Sequence, residues 1–366
     1  MVNVRNLAAS VAFSSLLGAA LAHPGDTTEE VRRELEAHAA ARPVARRALN
    51  ACASAPNTAA LKTRSVARRA ATADALRQKR GIAHKSLKSK RDQVGFNKWA
   101  AVNHDSSSLS YDLDTPLDTI FDSNSTCALV PEVTIGPYWV AGELIRTDIT
   151  DGQSGVPVHL DLQFIDIKSC EPIPANTLID IWASNATGVY SGVAVTGQGG
   201  LNTTHGRGIQ STDADGVVQF DTVFPGHYVG RTPHIHLMST AGATLLPNNT
   251  YVSNSGTPSH IGQIFFDQSL ITEVEKLEPY VSNKQRLTLN SQDGIGISEA
   301  TVDYDPFIDY VRLGDSLNDG LLTFLTVFVN TAANHSSSRQ AAAHYYEGGG
   351  VSNGGGFPGG PGRPSS

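Results

Sequence analysis

Short apolar runs separated by turn residues fill residues 127–335 of this 366-residue chain. The runs are rich in Val, Ile, Leu, Phe and Thr, and clusters of Gly, Pro, Asn or Asp separate them. They lie at residues 156–167, 178–182, 217–224, 235–238, 261–266 and 321–329. Residues 158–164 alternate apolar and polar side chains, which is the period of a half-buried strand. The pattern predicts an all-β fold, an antiparallel β-sandwich, with one short helix at residues 271–277.

The pattern changes before the sandwich, where residues 23–91 are rich in Glu, Arg and Ala. Thr27 followed by Glu30 fits a capping box, so a short helical N-terminal segment is expected. Dibasic pairs occur at positions 46–47, 68–69, 79–80 and 90–91. Two interpretations stay open for this segment. It is either a basic helical arm that the protein keeps or a pro-segment that is removed by cleavage after dibasic pairs.

Two further segments lack the apolar runs of a packed fold. Residues 92–126 are polar and rich in Asp and Ser, which predicts a loop-like lead-in to the sandwich. Residues 336–366 are rich in Gly, Pro and Ser, which predicts a disordered tail.

The first 22 residues have the pattern of a secretory signal peptide. Arg5 precedes an apolar stretch at residues 7–21, and small residues follow up to Ala22, where cleavage is expected. No apolar run reaches the ~18 residues of a membrane span, so no membrane partner is expected. Asn-x-Ser/Thr sequons, the acceptors of N-glycosylation, occur at Asn124, Asn185, Asn202, Asn248 and Asn334. The sequence therefore predicts a secreted, extracellular glycoprotein.

Secretion makes a disulfide plausible among the three cysteines. Cys127 and Cys170 both lie in the predicted sandwich, and we expect them to pair. Cys52 lies in the basic segment and is left over, either as a free thiol or for a bond between chains.

The net charge of −7 is the sum of two unlike parts. Residues 1–91 contain 17 Lys and Arg against 6 Asp and Glu, whereas residues 92–366 contain 11 against 29. The acidity of the larger part argues against nucleic acid as a partner. If the arm is kept, the opposite charges also predict that it docks on the β domain of a neighbouring chain, in a homodimer.

The densest set of reactive side chains lies at residues 228–236. His234 and His236 point to the same face if they lie in a strand, where their rings could share a Zn, Cu or Fe ion. Tyr228 precedes them across a Gly-containing turn, and Tyr190 follows a strand end and another Gly turn. A phenolate is a hard anionic donor that suits ferric iron.

These segments resemble the intradiol ring-cleavage dioxygenases, and in particular their secreted fungal branch. The matching pieces, in the family's order, are GPYW at 136–139, IDIWASNATGVYSG at 179–192, RGIQSTDADG at 207–216, FPGHYVGRTPHIH at 224–236 and GQIFFD at 262–267. The resemblance implies a β-sandwich that holds non-haem Fe(III) through Tyr190, Tyr228, His234 and His236. It also implies catalytic roles for Tyr228, for Arg231 and for its partner Gln263.

The activity implied is cleavage of catechol-type aromatic diols with O2 to cis,cis-muconate-type diacids. Ala183 and residues 197–206 depart from the family pattern, and Asn185 is a sequon close to Tyr190, so the substrate stays open. One alternative is a secreted β-sandwich binding or cell-wall module that keeps the fold without turnover. Another is a copper or zinc protein that uses the His pair, or uses His23 as a new N-terminus.

Overall fold

Two four-stranded β-sheets form the centre of the computed structural model, which describes residues 51–52, 55–82, 104–105, 133, 135–299, 305–346 and 349–353. The strands are β1 (Val140–Ala141), β2 (Pro157–Asp166), β3 (Leu178–Trp182), β4 (Arg207–Ser211), β5 (Val217–Val223), β6 (His234–Ala241), β7 (Thr257–Phe265), β8 (Asp309–Arg312), β9 (Leu321–Val329), β10 (Ala343–Tyr346) and β11 (Gly349–Ser352). The α-helices are α1 (Thr58–Arg80), α2 (Gln268–Val274) and α3 (Gly294–Glu299). Single 3-10 turns lie at Tyr280–Ser282, Asn290–Gln292, Leu317–Asp319 and Ser336–Ser338.

The strand order is β5-β2-β9-β8 in one sheet and β4-β3-β6-β7 in the other, with a small third sheet β1-β10-β11. Apolar side chains of both large sheets meet in one core, including Leu160, Phe164, Ile181, Leu237 and Leu325. The predicted β-sandwich is therefore confirmed. Most strand pairs are antiparallel as expected, but β2 pairs with β9 in parallel and β1 pairs with β10 in parallel.

The predicted helical segment is present as α1, which packs on the outer face of the sheet β5-β2-β9-β8. The helix is Ala-rich and ends at Gly81, whose φ of 66° suits the left-handed position that follows a helix. Its buried residues Val66, Ala70, Ala73 and Leu76 pack against side chains of β8, β9 and the turn between them. The arm thus docks on its own β domain, and a dimer contact through its remaining surface stays a prediction.

The ion pairs between α1 and β2 are buried. The Nε and Nη2 of Arg68 donate to the two carboxylate oxygens of Asp161 at 2.9 Å, and the Nε of Arg69 donates to Oδ1 at 3.1 Å. The Asp161 side chain is 0% exposed and that of Arg69 is 3% exposed. The guanidinium of Arg69 also lies 4.7 Å from the ring centre of Phe324 on β9. Residues 68–69 are therefore part of the core contact and not an open dibasic cleavage site.

The predicted Cys127–Cys170 bond is wrong, because Cys170 pairs with Cys52. The start of the arm lies over the turn that follows β2, where the Nδ2 of Asn57 donates to the carbonyl oxygen of Cys170 at 2.7 Å. Docking of the arm therefore brings the leftover cysteine of the basic segment to Cys170. The bond joins the arm covalently to the β domain.

The predicted disordered tail is wrong for its first part. Strand β10 pairs in parallel with β1, and β11 returns antiparallel along β10. Ala343 is fully buried in a cluster with Trp139 and Val140. Backbone pairing with β1 orders this Gly-rich stretch, which needs few apolar side chains because the edge of β1 supplies the partner.

The polar lead-in contributes two residues to the described fold. His104 is buried between two carboxylates, with Nδ1 2.6 Å from Asp267 and Nε2 2.7 Å from Asp305. Burial alone would lower the pKa of His104, but the two carboxylates outweigh it and raise the pKa well above its ordinary value. The imidazolium therefore connects the lead-in to the segments that follow β7 and precede β8.

Several predictions concern residues outside the described ranges. They are the signal peptide at 1–22, the sequon at Asn124, the cysteine at 127, and the dibasic pairs at 46–47 and 90–91. Within the described ranges, no helix is long and apolar enough to cross a membrane.

Candidate metal centre

The candidate site lies on the outer face of the sheet β4-β3-β6-β7. Ile235 and Leu237 on β6 point into the sandwich core, so the alternating residues His234 and His236 point to the other face. The register aligns a row of residues across the four strands, all on the site face: Arg207, Trp182, His236 and Gln263. A second cluster, which includes Tyr138, Trp139 and Ala343, covers this face.

All four predicted ligands converge in this space. The two Nε2 atoms of His234 and His236 are 3.1 Å apart, and the Tyr228 hydroxyl is 3.4 Å from the Nε2 of His234. The Tyr190 ring centre lies 5.6 Å from that of Tyr228 and 6.3 Å from that of His236. All four side chains are buried. The structure therefore brings two imidazoles and two phenols around one point, and their role as metal ligands stays a prediction.

Neighbouring groups orient both imidazole rings. The Nδ1 of His234 lies 2.6 Å from the carbonyl oxygen of Thr232, which can only accept, so Nδ1 carries the proton. In a neutral His234, the Nε2 atom then carries a lone pair that points into the site. Trp182 stacks on His236 with ring centres 4.9 Å apart and nearly parallel planes, which fixes the plane of that ring.

The two phenols stay protonated at neutral pH in the protein alone. Burial raises the pKa of Tyr228 to about 12 and raises that of Tyr190 well above its ordinary value. The Tyr190 hydroxyl is buried and makes no hydrogen bond of standard geometry among the described residues, although the Tyr228 phenol lies close enough to raise its pKa further. A buried hydroxyl without such a bond is costly, and a bound cation would satisfy it as phenolate. The donor set therefore fits a hard metal ion such as Fe(III).

Arg231 and Gln263 form a fixed group beside the ligands. The Nε of Arg231 donates to Asp293 at 2.8 Å and its Nη2 donates to the Oε1 of Gln263 at 2.5 Å. Burial alone would lower the pKa of Arg231, but the charge of Asp293 outweighs it and raises the pKa. The Nε2 of Gln263 is buried with no hydrogen-bond partner among the described residues, so it is a donor available to a bound molecule.

Sequence reasoning assigned no role to Asp293 or Arg207. Asp293 also accepts from the backbone N–H groups of Thr232, Ile295 and Gly296, so it joins the Arg231 turn to the start of α3. The local signal at Asp293 is that of an N-cap residue before α3. Its contacts with Arg231 and Thr232, about 60 residues away, leave no signal in the sequence. Arg207 is the first residue of the family-like segment at 207–216. Arginine is scarce in the acidic domain, and this scarcity is the sequence signal for Arg207.

Two buried carboxyl groups lie behind the site. The Nε1 of Trp139 donates to Asp180 at 2.8 Å, and Arg207 lies 3.8 Å from Glu143. Burial raises the pKa of Asp180 to about 8 and that of Glu143 to about 7, because one guanidinium shared by two acids offsets little of the desolvation.

The sequon residue Asn185 already has structural contacts. Its Oδ1 accepts from the backbone N–H groups of Thr187 and Val189, and its Nδ2 donates to Gln153 at 3.0 Å. A glycan on Nδ2 would compete with the contact to Gln153.

Comparison with known proteins shows the family of the chain. The sequence model of a family described as Dioxygenase matches residues 136–288, which span all four candidate ligands. A solved intradiol ring-cleavage dioxygenase from Tetranychus urticae is 31% identical over 57% of this chain and 97% of that chain, with a TM-score of 0.47. No curated protein matches the chain.

The chain belongs to the intradiol ring-cleavage dioxygenase family. This assignment rests on the family model and on the sequence identity across nearly all of the Tetranychus urticae protein. More distant solved structures include a mercury-inhibited catechol 1,2-dioxygenase from Acinetobacter, at 20% identity, 55% and 63% coverage and a TM-score of 0.35. A hydroxyquinol 1,2-dioxygenase from Pseudomonas putida matches at 16% identity, 58% and 70% coverage and a TM-score of 0.34.

Proposed function

We propose that this protein is a secreted non-haem Fe(III) enzyme that cleaves catechol-type aromatic diols with O2 to cis,cis-muconate-type diacids. The family is one of catechol-type ring cleavage, which supports the reaction class. The observation that carries the proposal is the convergence of Tyr190, Tyr228, His234 and His236, with the Tyr190 hydroxyl buried and making no hydrogen bond of standard geometry among the described residues. These four residues would hold the iron.

Bound Fe(III) would supply a Lewis acid that keeps the phenols and a bound diol deprotonated and makes the diol ring reactive toward O2. The two phenols have different settings for this chemistry. Tyr190 is 1% exposed, with its backbone N–H and carbonyl both hydrogen-bonded inside the protein. Tyr228 lies on a surface turn beside Val229, which is 60% exposed. Tyr228 is therefore the phenolate whose oxygen accepts a proton from the incoming diol.

Arg231 would stabilise the negative charge that develops on the substrate. Its guanidinium is fully buried, and Asp293 and Gln263 fix its orientation, so little reorganisation is needed during the reaction. The free N–H group of Gln263 would donate to an anionic oxygen in the same space. Both residues would act without leaving their positions.

The visible spectrum of the purified, iron-loaded protein tests the proposal. Tyrosinate bound to Fe(III) gives a red charge-transfer colour, which we expect in the wild type, together with O2 consumption when catechol is added. Tyr190→Phe and Tyr228→Phe should each alter the band. A colourless protein after reconstitution with iron contradicts the ligand assignment, and metal analysis showing copper or zinc would favour the alternative metal proteins. A red protein that consumes no O2 with any diol tested would favour a binding module.

Secretion has its own support and its own test. The Cys52–Cys170 disulfide suits an oxidising compartment, in agreement with the signal-like N-terminus. We expect mature protein from the culture medium to begin at His23, and N-terminal sequencing checks this. The same sample separated with and without reductant tests processing of the arm. A cleaved arm would stay attached through the disulfide until reduction, whereas a retained arm would leave the mass unchanged.

A further inference from the structure

The loop that carries Tyr190 has no regular structure to hold it. Residues 183–206 join β3 to β4 without a helix or strand. The backbone N–H of Tyr190 donates to the side chain of Gln198 at 2.6 Å, and its carbonyl accepts from Gly199 at 2.8 Å. Both partners belong to the same loop, so these contacts shape the loop but do not fix it to the sheet.

Arg207 connects the residue after Tyr190 to the sheet, whereas contacts such as that of Asn185 with Gln153 hold other parts of the loop. It is the first residue of β4, is 1% exposed, and lies in the same row across the sheet as His236. Its Nε and Nη2 donate to the carbonyl oxygen of Ser191 at 3.1 and 2.7 Å, and its Nε also donates to the hydroxyl of Ser191 at 2.9 Å. One guanidinium therefore holds the residue directly after Tyr190 by both its backbone and its side chain.

We propose that Arg207 is a positioning residue for Tyr190, which keeps the phenol oxygen at the point shared with His236. The inference rests on the proposed ligand role of Tyr190. A guanidinium suits this task because its planar fork reaches one carbonyl through two N–H groups and fixes a direction as well as a distance. Through Arg207, the rigid sheet thus fixes the position of a candidate ligand that lies on a loop.

The nearest charge to Arg207 is on Glu143, whereas the hydrogen bonds that orient its guanidinium go to Ser191. Glu143 lies 3.8 Å from the Nε of Arg207, too far for a hydrogen bond, and neither of its carboxylate oxygens has a hydrogen-bond partner among the described residues. Glu143 thus acts on Arg207 through charge alone, and only where it is ionised, since burial raises its pKa to about 7, whereas Ser191 supplies the geometry. This separation offers a matched control, because Glu143→Gln removes the charge partner and leaves the contacts to Ser191.

The experiment compares Arg207→Gln, Arg207→Lys and Glu143→Gln with the wild type, using Tyr190→Phe and Tyr228→Phe as spectral references. The measurements are bound iron per chain, the visible spectrum, kcat and KM with catechol, and amide hydrogen exchange of residues 190–206 in the iron-free protein. The hydrogen exchange reports on the loop without any dependence on metal or turnover. Arg207→Lys keeps the buried charge and serves where Arg207→Gln does not fold.

We expect Arg207→Gln to shift the visible band toward that of Tyr190→Phe and not toward that of Tyr228→Phe. It should lower kcat about 100-fold, as expected for a misplaced group, with a smaller change in KM. Exchange of the loop amides should rise in the iron-free protein, Arg207→Lys should restore part of each effect, and Glu143→Gln should match the wild type in spectrum and exchange.

A wild-type spectrum and wild-type loop exchange in both Arg207 variants would overturn the inference while leaving the proposed function intact. Equal spectral shifts in Glu143→Gln and Arg207→Gln would also overturn it, because the effect would then follow the charge and not the contacts to Ser191. A colourless wild type would instead contradict the proposed function itself.

Discussion

Both outer faces of the sandwich contain buried carboxyl groups, but the pKa is lowered on one face and raised on the other. On the arm face, Asp161 receives hydrogen bonds from Arg68 and Arg69, and these outweigh the effect of burial and bring its pKa to about 2. On the site face, Asp180 and Glu143 share Arg207, and burial raises the pKa of Asp180 to about 8. The arm face is therefore built for attachment, whereas the site face tolerates uncompensated polar groups close to the candidate metal centre.

The largest effect is expected from breaking the buried ion pair on the arm face. Asp161→Leu leaves Arg69 buried without its carboxylate and should lower the free energy of unfolding by about 3–5 kcal/mol. The double variant Asp161→Leu/Arg69→Met removes the carboxylate and the more buried of its two arginines, leaves the part-exposed Arg68, and should recover part of the loss. Urea unfolding measures both, and kcat per bound iron should stay at the wild-type level below the unfolding transition.

A control for this comparison is the exposed pair of Arg64 with Asp215, for which Arg64→Ala should leave the unfolding midpoint almost unchanged. A loss of stability in the double variant as large as in Asp161→Leu would mean that packing, and not charge pairing, holds the arm.

The disulfide gives the next largest effect. Cys52→Ser removes the bond that joins the arm to the turn after β2, and should lower the free energy of unfolding by about 2–4 kcal/mol. Reduced wild-type protein should unfold at the same urea concentration as the variant. If reduction destabilises the wild type but leaves Cys52→Ser unchanged, Cys170 has no second partner. A further loss on reducing the variant would show another disulfide.

Acid should weaken the arm face before the site face. The pKa of Asp161 is lower in the folded protein than in the unfolded chain, so its stabilisation is present above pH ~4 and is lost as pH falls toward 2. The loss is about 2–3 kcal/mol over this window. Thermal unfolding between pH 5 and 2 measures it, and Asp161→Leu should show a shallower slope than the wild type.

A rise in pH should act on the site face with the opposite sign. Asp180 keeps its proton in the folded protein up to about pH 8, but loses it near pH 4 when unfolded, so stability falls as pH rises between these values. Asp180→Asn keeps an acceptor for Trp139 without the charge, and should gain stability relative to the wild type as pH rises from 4 to 8. An unchanged slope in this variant would contradict the assignment of that proton to Asp180.

Local sequence patterns predicted the features that depend only on residues close together in the chain. Alternation placed β2, and the two-residue spacing of His234 and His236 placed both rings on one face. The partner of Cys170 could not be predicted, because it depends on where α1 docks. The parallel pairing of β2 with β9 joins strands that are about 150 residues apart, and no local pattern encodes it.

The remaining misses have the same origin. His104 lies in a polar stretch and becomes buried only because Asp267 and Asp305 meet it from distant segments. Strand β10 lies in a segment without a long apolar run, and its order comes from pairing with β1 and from burial of Ala343. The sequence therefore did not reveal contacts between distant segments, whereas it did reveal patterns within a single segment.

The docking of α1 across β2 and β9 has a consequence for the order of synthesis. The helix leaves the ribosome first, but the surface that receives it includes Leu322 and Phe324 of β9, which are made some 250 residues later. During that interval the helix has no partner, and an apolar helix would invite aggregation. The abundance of Arg and Lys along α1 keeps the waiting segment solvated, while a narrow stripe of Ala, Val and Leu is enough for later docking. The composition of α1 thus suits a helix that has to stay solvated until β9 has been made and can receive it.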